Sequence, residues 1–425
     1  MTADRDDRRP AADAVPEGPL AGLRVVDCST VLAGPYCTMV LADLGADVIK
    51  VEPPEGDATR GWGPPWVGPA VGPRGERTAA YYLAANRNKR SLRLDLKQPA
   101  GARILRRLIE RSDVLVENFR PGSFERLGFT EETLRTLNPD VVHLAISGYG
   151  PSGPAGDRPG YDFLVQAGAG VMSMTGFPDE EGGEPTKVGV AISDLTTGMF
   201  GAIGILAALV RRAGPAAPGR TGGQRVDVSI FESTLAWLAN QAQNLFATGR
   251  SPGRRGNAHP NIVPYETFES ADGEIAVGVG SERQWPRFCQ ALGLAELATD
   301  PRFATNGDRV RERGALRPIL AARFATASTA EWFARLEAAE IPCAPINDLA
   351  AAFADPQVAA REMLVDLEHP VLGIVRQVGL PIKLSATPGS LRMPPPLLGE
   401  QSQGILEELG FAEEEIARLR SDGVV

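Results

Sequence analysis

Histidine and cysteine are scarce in this chain: three and four among 425 residues. His143, His259 and His369 never approach metal-ligand spacing, so no metal site is expected. Cys28, Cys37, Cys289 and Cys343 form no C-x-x-C pair and have apolar neighbours, which reads as free thiols in a reducing, cytoplasmic setting. Positive charge is in deficit. Lys plus Arg total 44 against 53 Asp plus Glu, a formal net charge of −9. That argues against a general nucleic-acid binder, though a local basic patch for a phosphorylated ligand remains compatible. Long apolar runs are missing too. The longest, Leu195 to Val210, is short and rich in Gly and Thr, so it reads as a buried core helix with no membrane partner. No G-x-G-x-x-G fingerprint and no internal repeat occur. The charged, Pro/Ala-rich start has no apolar signal core, and residues 1–18 are expected to form a disordered tail.

What is present is enough apolar residue, 43%, for a sizeable core, in a chain long enough for two large units. Strand and helix patterns alternate through the first half. Leu23–Ser29, Asp47–Val51, Ser91–Leu96, Val114–Glu117 and Val141–Ser147 read as strands. Gly34–Gly45, Gly101–Arg111 and Thr130–Leu137 read as helices. That alternation predicts an α/β fold with a parallel sheet covered on both faces. Gly56 to Ala80 reads as a long surface loop, the kind retained for binding. Residues 193–213 read as a helix, Gln224–Ile230 as a strand and Phe231–Thr248 as one long helix. From Glu274 the pattern becomes mixed α+β, with a helix at Thr329–Glu340, two β-like runs at 364–368 and 374–379, and a terminal helix from Gln401.

Ligands of open parallel sheets bind beyond the carboxyl ends of the strands. Three such ends are unusual here. Ser29-Thr-Val-Leu-Ala-Gly-Pro35 is a small-residue turn entering a helix, able to hold a phosphate or simply to turn the chain. Asn86-Arg-Asn-Lys-Arg-Ser91 and Glu117-Asn-Phe-Arg-Pro-Gly122, with Arg126 behind, offer donors suited to a polyphosphate, or else form a solvated charged face. Gly189-Val-Ala-Ile-Ser-Asp194 places a lone carboxylate at the head of an apolar helix. Asp is a favoured N-cap, and a helix N-terminus keeps a carboxylate ionised. An ionised carboxylate is also a nucleophile.

Taken in order, these motifs resemble the class III CoA-transferases. The resemblance runs from about Leu20 to Val425. It rests on Leu20-Ala-Gly-Leu-Arg-Val-Val-Asp27, Ala33-Gly-Pro35, Leu44-Gly-Ala-Asp-Val-Ile-Lys-Val-Glu52, Asn88-Lys-Arg-Ser91, Leu94-Asp-Leu-Lys97, Val116-Glu-Asn-Phe119, Gly148-Tyr-Gly150, Ser193-Asp194, Pro396-Leu-Leu-Gly-Glu400 and Gly423-Val-Val425. It implies a Rossmann-like large domain built from residues 19–225 and a return segment, 341–425. A small α+β domain at 226–340 lies between them, and the chain pairs as an interlocked, ring-like homodimer. It implies that Asp194 attacks an acyl-CoA thioester, with an aspartyl anhydride and an aspartyl-CoA thioester as intermediates. CoA is then substrate rather than resident cofactor. The resemblance implies CoA contacts at Leu32, Ala33, Leu94, Asp95, Leu96, Lys97, Asn118, Phe119, Arg120, Arg126, Pro159, Gly160, Tyr161 and Asp162. It makes Arg255-Gly-Asn-Ala-His259 the segment matching a lid, with His259 either contacting a substrate carboxylate or structural.

Leu32 and Pro53 depart from the formyl-CoA enzymes, which have Gln and Arg there. Racemases of similar fold carry a His where this chain has Tyr161, and a phenol near pKa 10 is a poor base at neutrality. Transfer is therefore preferred over α-methylacyl-CoA racemisation, and over a catalytically silent acyl-CoA binder. Gly256 to Phe268 and Pro394 to Gly399 look most like transferases that use succinyl-CoA and a dicarboxylic acceptor.

Overall fold

A computed structural model describes residues 18–69, 77–214 and 222–425. The expected N-terminal tail up to residue 17, and parts of the expected loops at 70–76 and 215–221, lie outside the described residues.

The described residues form two compact units. One draws on the described residues up to Ala169 and within Val190–Ala239 and Gln357–Val425, the other on Gly170–Gly189 and Asn240–Pro356. The segment 170–189, which the sequence reading leaves in the large domain, belongs to the second unit. It is tied there by Gly256 N–H donating to Gly176 O at 2.9 Å and Arg254 Nε donating to Phe177 O at 3.0 Å.

The first unit is built on a six-stranded, all-parallel sheet: β1 (Arg24–Asp27), β2 (Asp47–Glu52), β3 (Lys89–Arg93), β4 (Val114–Glu117), β5 (Val142–Ser147) and β6 (Gln224–Ser229). Their spatial order is β3-β2-β1-β4-β5-β6. The direction of winding reverses between β1 and β4, where Val26 faces Leu115, and a crevice opens beyond such a switch point. The four inner strands, β1, β2, β4 and β5, are rich in Val, Leu and Ile because both faces are covered. One face packs on α2 (Pro99–Glu110) and on the chain end, where Ile405, Leu406, Ile416 and Val425 are buried. The other packs on α1 (Ala33–Asp43) and α4 (Ile192–Ala213), through Cys37, Leu41, Ala202 and Ile205.

Helix α4 matches the helix read over 193–213, starting one residue earlier. At 22 residues it is, among the described residues, the one helix long and apolar enough to cross a membrane, yet it packs along α1 and β5 as core. The long helix expected over Phe231–Thr248 is two helices, α5 (Ile230–Trp237) and α6 (Ala239–Thr248). Ala239 sits at φ 40, outside the right-handed helical region, and interrupts the run. The terminal helix is likewise divided, into Ser402–Glu408 and Glu413–Ser421, around Gly410 at φ 85.

The second unit is α+β. An antiparallel sheet of β7 (Tyr265–Glu269), β8 (Glu274–Gly278) and β9 (Cys343–Pro345) carries helices whose apolar faces meet at Trp285, Phe288, Phe324 and Trp332. The two late β-like runs pair as a hairpin in the first unit, Leu364–His369 with Gly373–Val378.

Candidate active site

Strand β1 ends at Asp27, which is fully buried and serves as a hub. It accepts from Ser29 N–H at 3.0 Å, Thr38 Oγ1 at 2.6 Å and Lys89 Nζ at 3.1 Å. Burial alone would raise its pKa, but Lys89, Lys50 and the two hydroxyls outweigh it and bring the carboxyl down to about 2. The turn that follows is clamped along its backbone. Asn118, just past β4, accepts Thr30 N–H at 2.9 Å and donates to Thr30 O at 2.8 Å. Val31 adopts φ 70, a left-handed conformation that a β-branched residue avoids.

Asp194 lies across from this turn. It is not the N-cap of α4, as its sequence position suggested. Ala191 holds that position, and Asp194 is the third helical residue. The capping side chain comes from Asp162, at the head of α3 (Asp162–Gly168), whose Oδ1 accepts Ser193 N–H at 2.8 Å and Asp194 N–H at 3.4 Å. Gln166 fixes the other oxygen of Asp162 at 2.7 Å.

This arrangement reverses the expected electrostatics of Asp194. The helix dipole was expected to hold it ionised. Burial, its side chain being in a residue only 8% exposed, and then the charge of Asp162 push its pKa up to about 7. A more basic carboxylate is a better nucleophile once ionised, and near neutrality a substantial fraction is ionised. Close packing fixes its place. A Cβ on Gly198, one turn along α4, would meet Ala33 O of α1 at 2.6 Å.

Asp194 shares a cavity of about 300 Å³ with Leu32, Ala33, Asn118, Phe119, Arg120, Pro159, Gly160 and Tyr161 from the sequence-derived set. A neighbouring cavity of about 370 Å³ takes Leu94, Asp95, Leu96 and Lys97, and the two share Thr30 and Phe119. Arg126 and Asp162 line neither. Arg126 is exposed and donates to Ser123 Oγ, while Asp162 acts through α4.

The run Asn86–Ser91 needs a larger correction, since it is neither a polyphosphate cradle nor a solvated face. Asn86, Asn88 and Lys89 are at most 1% exposed and serve the fold. Arg87 pairs with Asp43 at 2.7 Å, and Asn88 holds Asp43, Ser390 O and the N–H groups of Arg392 and Met393. The lining also takes Thr30 and Val31, from the Ser29–Pro35 turn singled out in the sequence, and Ser147, Gly148 and Arg158, which sequence reasoning left out of the site. The Gly148-Tyr-Gly150 turn past β5 was a usable signal for two of them; Arg158 had none.

In the second unit, the segment matched to a lid has Gly256 at φ 58. His259 Nδ1 accepts Asn261 N–H at 3.1 Å, and burial followed by the charge of Arg313 lowers its pKa.

The sequence profile described as CoA-transferase family III matches residues 20–402. The chain is 44% identical to a succinate–glutarate CoA-transferase of Agrobacterium fabrum, over 93% of this chain and 96% of that one. It is 38% identical to the human succinyl-CoA:glutarate CoA-transferase, over 98% and 92%. The crystal structure of a CAIB/BAIF family protein from Brucella suis superposes with a TM-score of 0.80 at 42% identity, covering 92% of this chain and all of that one.

Proposed function

This chain belongs to CoA-transferase family III, and on that premise we propose that Asp194 carries CoA from succinyl-CoA to a dicarboxylic acid such as glutarate. The observation that carries the reading is a single buried carboxylate, Asp194, with its pKa raised to about 7, in a cavity beyond the switch point of a parallel sheet. The relatives named above supply the donor and acceptor class.

An Asp194 oxygen attacks the thioester carbonyl. The C–S bond breaks, giving an acyl-aspartyl anhydride and CoA thiolate. The thiolate adds to the aspartyl carbonyl and expels the donor acid, leaving an aspartyl-CoA thioester. The acceptor carboxylate then repeats the first exchange, and thiolate attack on the new acyl carbonyl releases product and free Asp194. Two exchanges through a covalent intermediate replace one difficult displacement. No proton is consumed, so the protein's part is to place the ionised fraction of Asp194 against the thioester and to exclude water from the anhydride. Leu32, Ala33, Asn118, Phe119, Arg120, Pro159, Gly160 and Tyr161 are assigned to the acyl and pantetheine end, and Leu94 to Lys97 to the nucleotide end.

A cytoplasmic homodimer, with CoA as substrate and no resident cofactor, completes the reading. Exposed Phe163, Met199, Phe200, Ile203 and Trp237 on α3 to α5 support self-association, since so many large apolar groups are rarely left open. The test is to incubate the protein with succinyl-CoA and a panel of acids and to separate the thioesters. New acyl-CoA species should appear with dicarboxylates, Asp194→Ala should abolish them, and hydroxylamine should convert Asp194 to a hydroxamate during turnover. Deuterium exchange at an α-carbon without a new thioester would point instead to racemisation. Turnover surviving in Asp194→Ala would refute the mechanism.

A further inference from the structure

Lys50 and Asp57 lie in the first unit, at most 1% exposed, and line neither cavity described above. Lys50 comes from the middle of β2, and Asp57 from the loop after it. Lys50 Nζ meets Asp57 Oδ2 at 2.9 Å and donates to Ser29 O at 2.9 Å. Asp57 accepts Val31 N–H at 3.3 Å, and its own geometry is fixed by Thr59 N–H at 3.0 Å and Thr59 Oγ1 at 2.7 Å. The pair therefore grips both sides of the turn whose Val31 stands at φ 70. Strain of this kind persists only where neighbouring structure over-determines it, and it gathers at functional sites. Val31, Leu32 and Ala33 form the wall of the Asp194 cavity. A buried ion pair is a poor way to gain stability, because desolvation offsets its attraction.

We propose that Lys50 and Asp57 are positioning residues of the transfer site: the pair holds Val31 in its left-handed turn and thereby sets the cavity wall against Asp194. This rests on the transfer reading given above. Displacing this wall by about 1 Å costs up to about 100-fold in rate. The nucleotide-end cavity does not include Val31, so acyl-CoA KM should change little while kcat falls.

The test uses two variants of the full-length protein, assayed with succinyl-CoA and glutarate. Lys50→Met/Asp57→Leu replaces the pair by apolar groups of similar volume, an exchange that folds tolerate. It should still melt in a cooperative transition and lose roughly 10- to 100-fold in kcat. Asp57→Asn is measured with Val31 and with Val31→Gly, since glycine holds φ 70 without strain. Its kcat loss should shrink several-fold in the glycine background. Unchanged kcat in Lys50→Met/Asp57→Leu overturns the positioning role, as does an equal loss from Asp57→Asn in both backgrounds. A wild-type protein that makes no new thioester overturns the transfer reading itself, and this proposal with it.

Discussion

The ionisation of Asp194 can be weighed without any substrate. Its pKa rises from 3.8 to about 7 on folding, through burial and then the Asp162 charge. A raised carboxyl binds its proton more tightly folded than unfolded. Stability from this group is therefore complete below the unfolded value and is lost as pH climbs from about 4 to about 7. At about 1.4 kcal/mol per pKa unit, the whole loss is on the order of 4 kcal/mol, of which roughly 3 falls between pH 5 and 8. Asp194 is only 8% exposed, so solvent screens little of it. Asp194→Asn keeps the shape and cannot ionise. Melting the wild type and this variant at pH 5 and pH 8, without CoA, isolates the term, because titrating groups remote from Asp194 cancel in the difference. The variant's margin over the wild type should grow by about 5 °C between pH 5 and pH 8, taking roughly 2 °C per kcal/mol for a chain of this size. It should be inactive at both. An equal offset at both pH values would show that Asp194 is not held protonated by its surroundings, and the electrostatic account of the nucleophile would fall.

Three further outcomes follow from the same geometry. The free-enzyme rate constant kcat/KM should rise with pH through about 7 as Asp194 ionises, and Asp162→Asn, which keeps a capping oxygen but removes the like charge, should move the midpoint downward in a pH–rate profile. Gly198→Ala should lower both kcat and stability despite its better helix propensity of about 1 kcal/mol, since the added methyl meets Ala33 O and pushes α4 away from α1; a variant as active and as stable as wild type would show that the contact relaxes freely. Asn88→Ala, which strands Arg392 and Met393 N–H and removes one donor from the Asp43 carboxylate, should cost about 3 kcal/mol in urea unfolding, and a loss under 1 kcal/mol would mean the return segment is not held there.

The parallel sheet was legible because its four inner strands, covered on both faces, are mainly apolar runs, and the helices between them carry their own period. The break between α5 and α6 was not, since Ala239 reaches φ 40 with no Gly or Pro to announce it. The site shows where spacing stops informing. Asp194 could be placed at the head of α4, but the residue that caps that helix, Asp162, lies 32 positions away in sequence and reaches it only through the fold. The sign of the nucleophile's pKa shift depends on that distant charge and on burial, so local sequence gave it the wrong direction.

The same limit explains Asn86–Ser91. As a string it is a cationic patch, and only tertiary partners such as Asp27, Asp43 and Ser390 make it a buried scaffold. Lys50 offered a clue of a kind the sequence does carry. A lysine between Ile49 and Val51 in a doubly covered strand must be neutralised or paired, because an isolated buried ammonium is too costly to keep. The partner it requires, Asp57, was seven residues on, in the loop whose composition had already marked it as functional. A lone charge inside a strand buried on both faces thus points to a buried partner, and here the pair sits against the turn that walls the nucleophile's cavity.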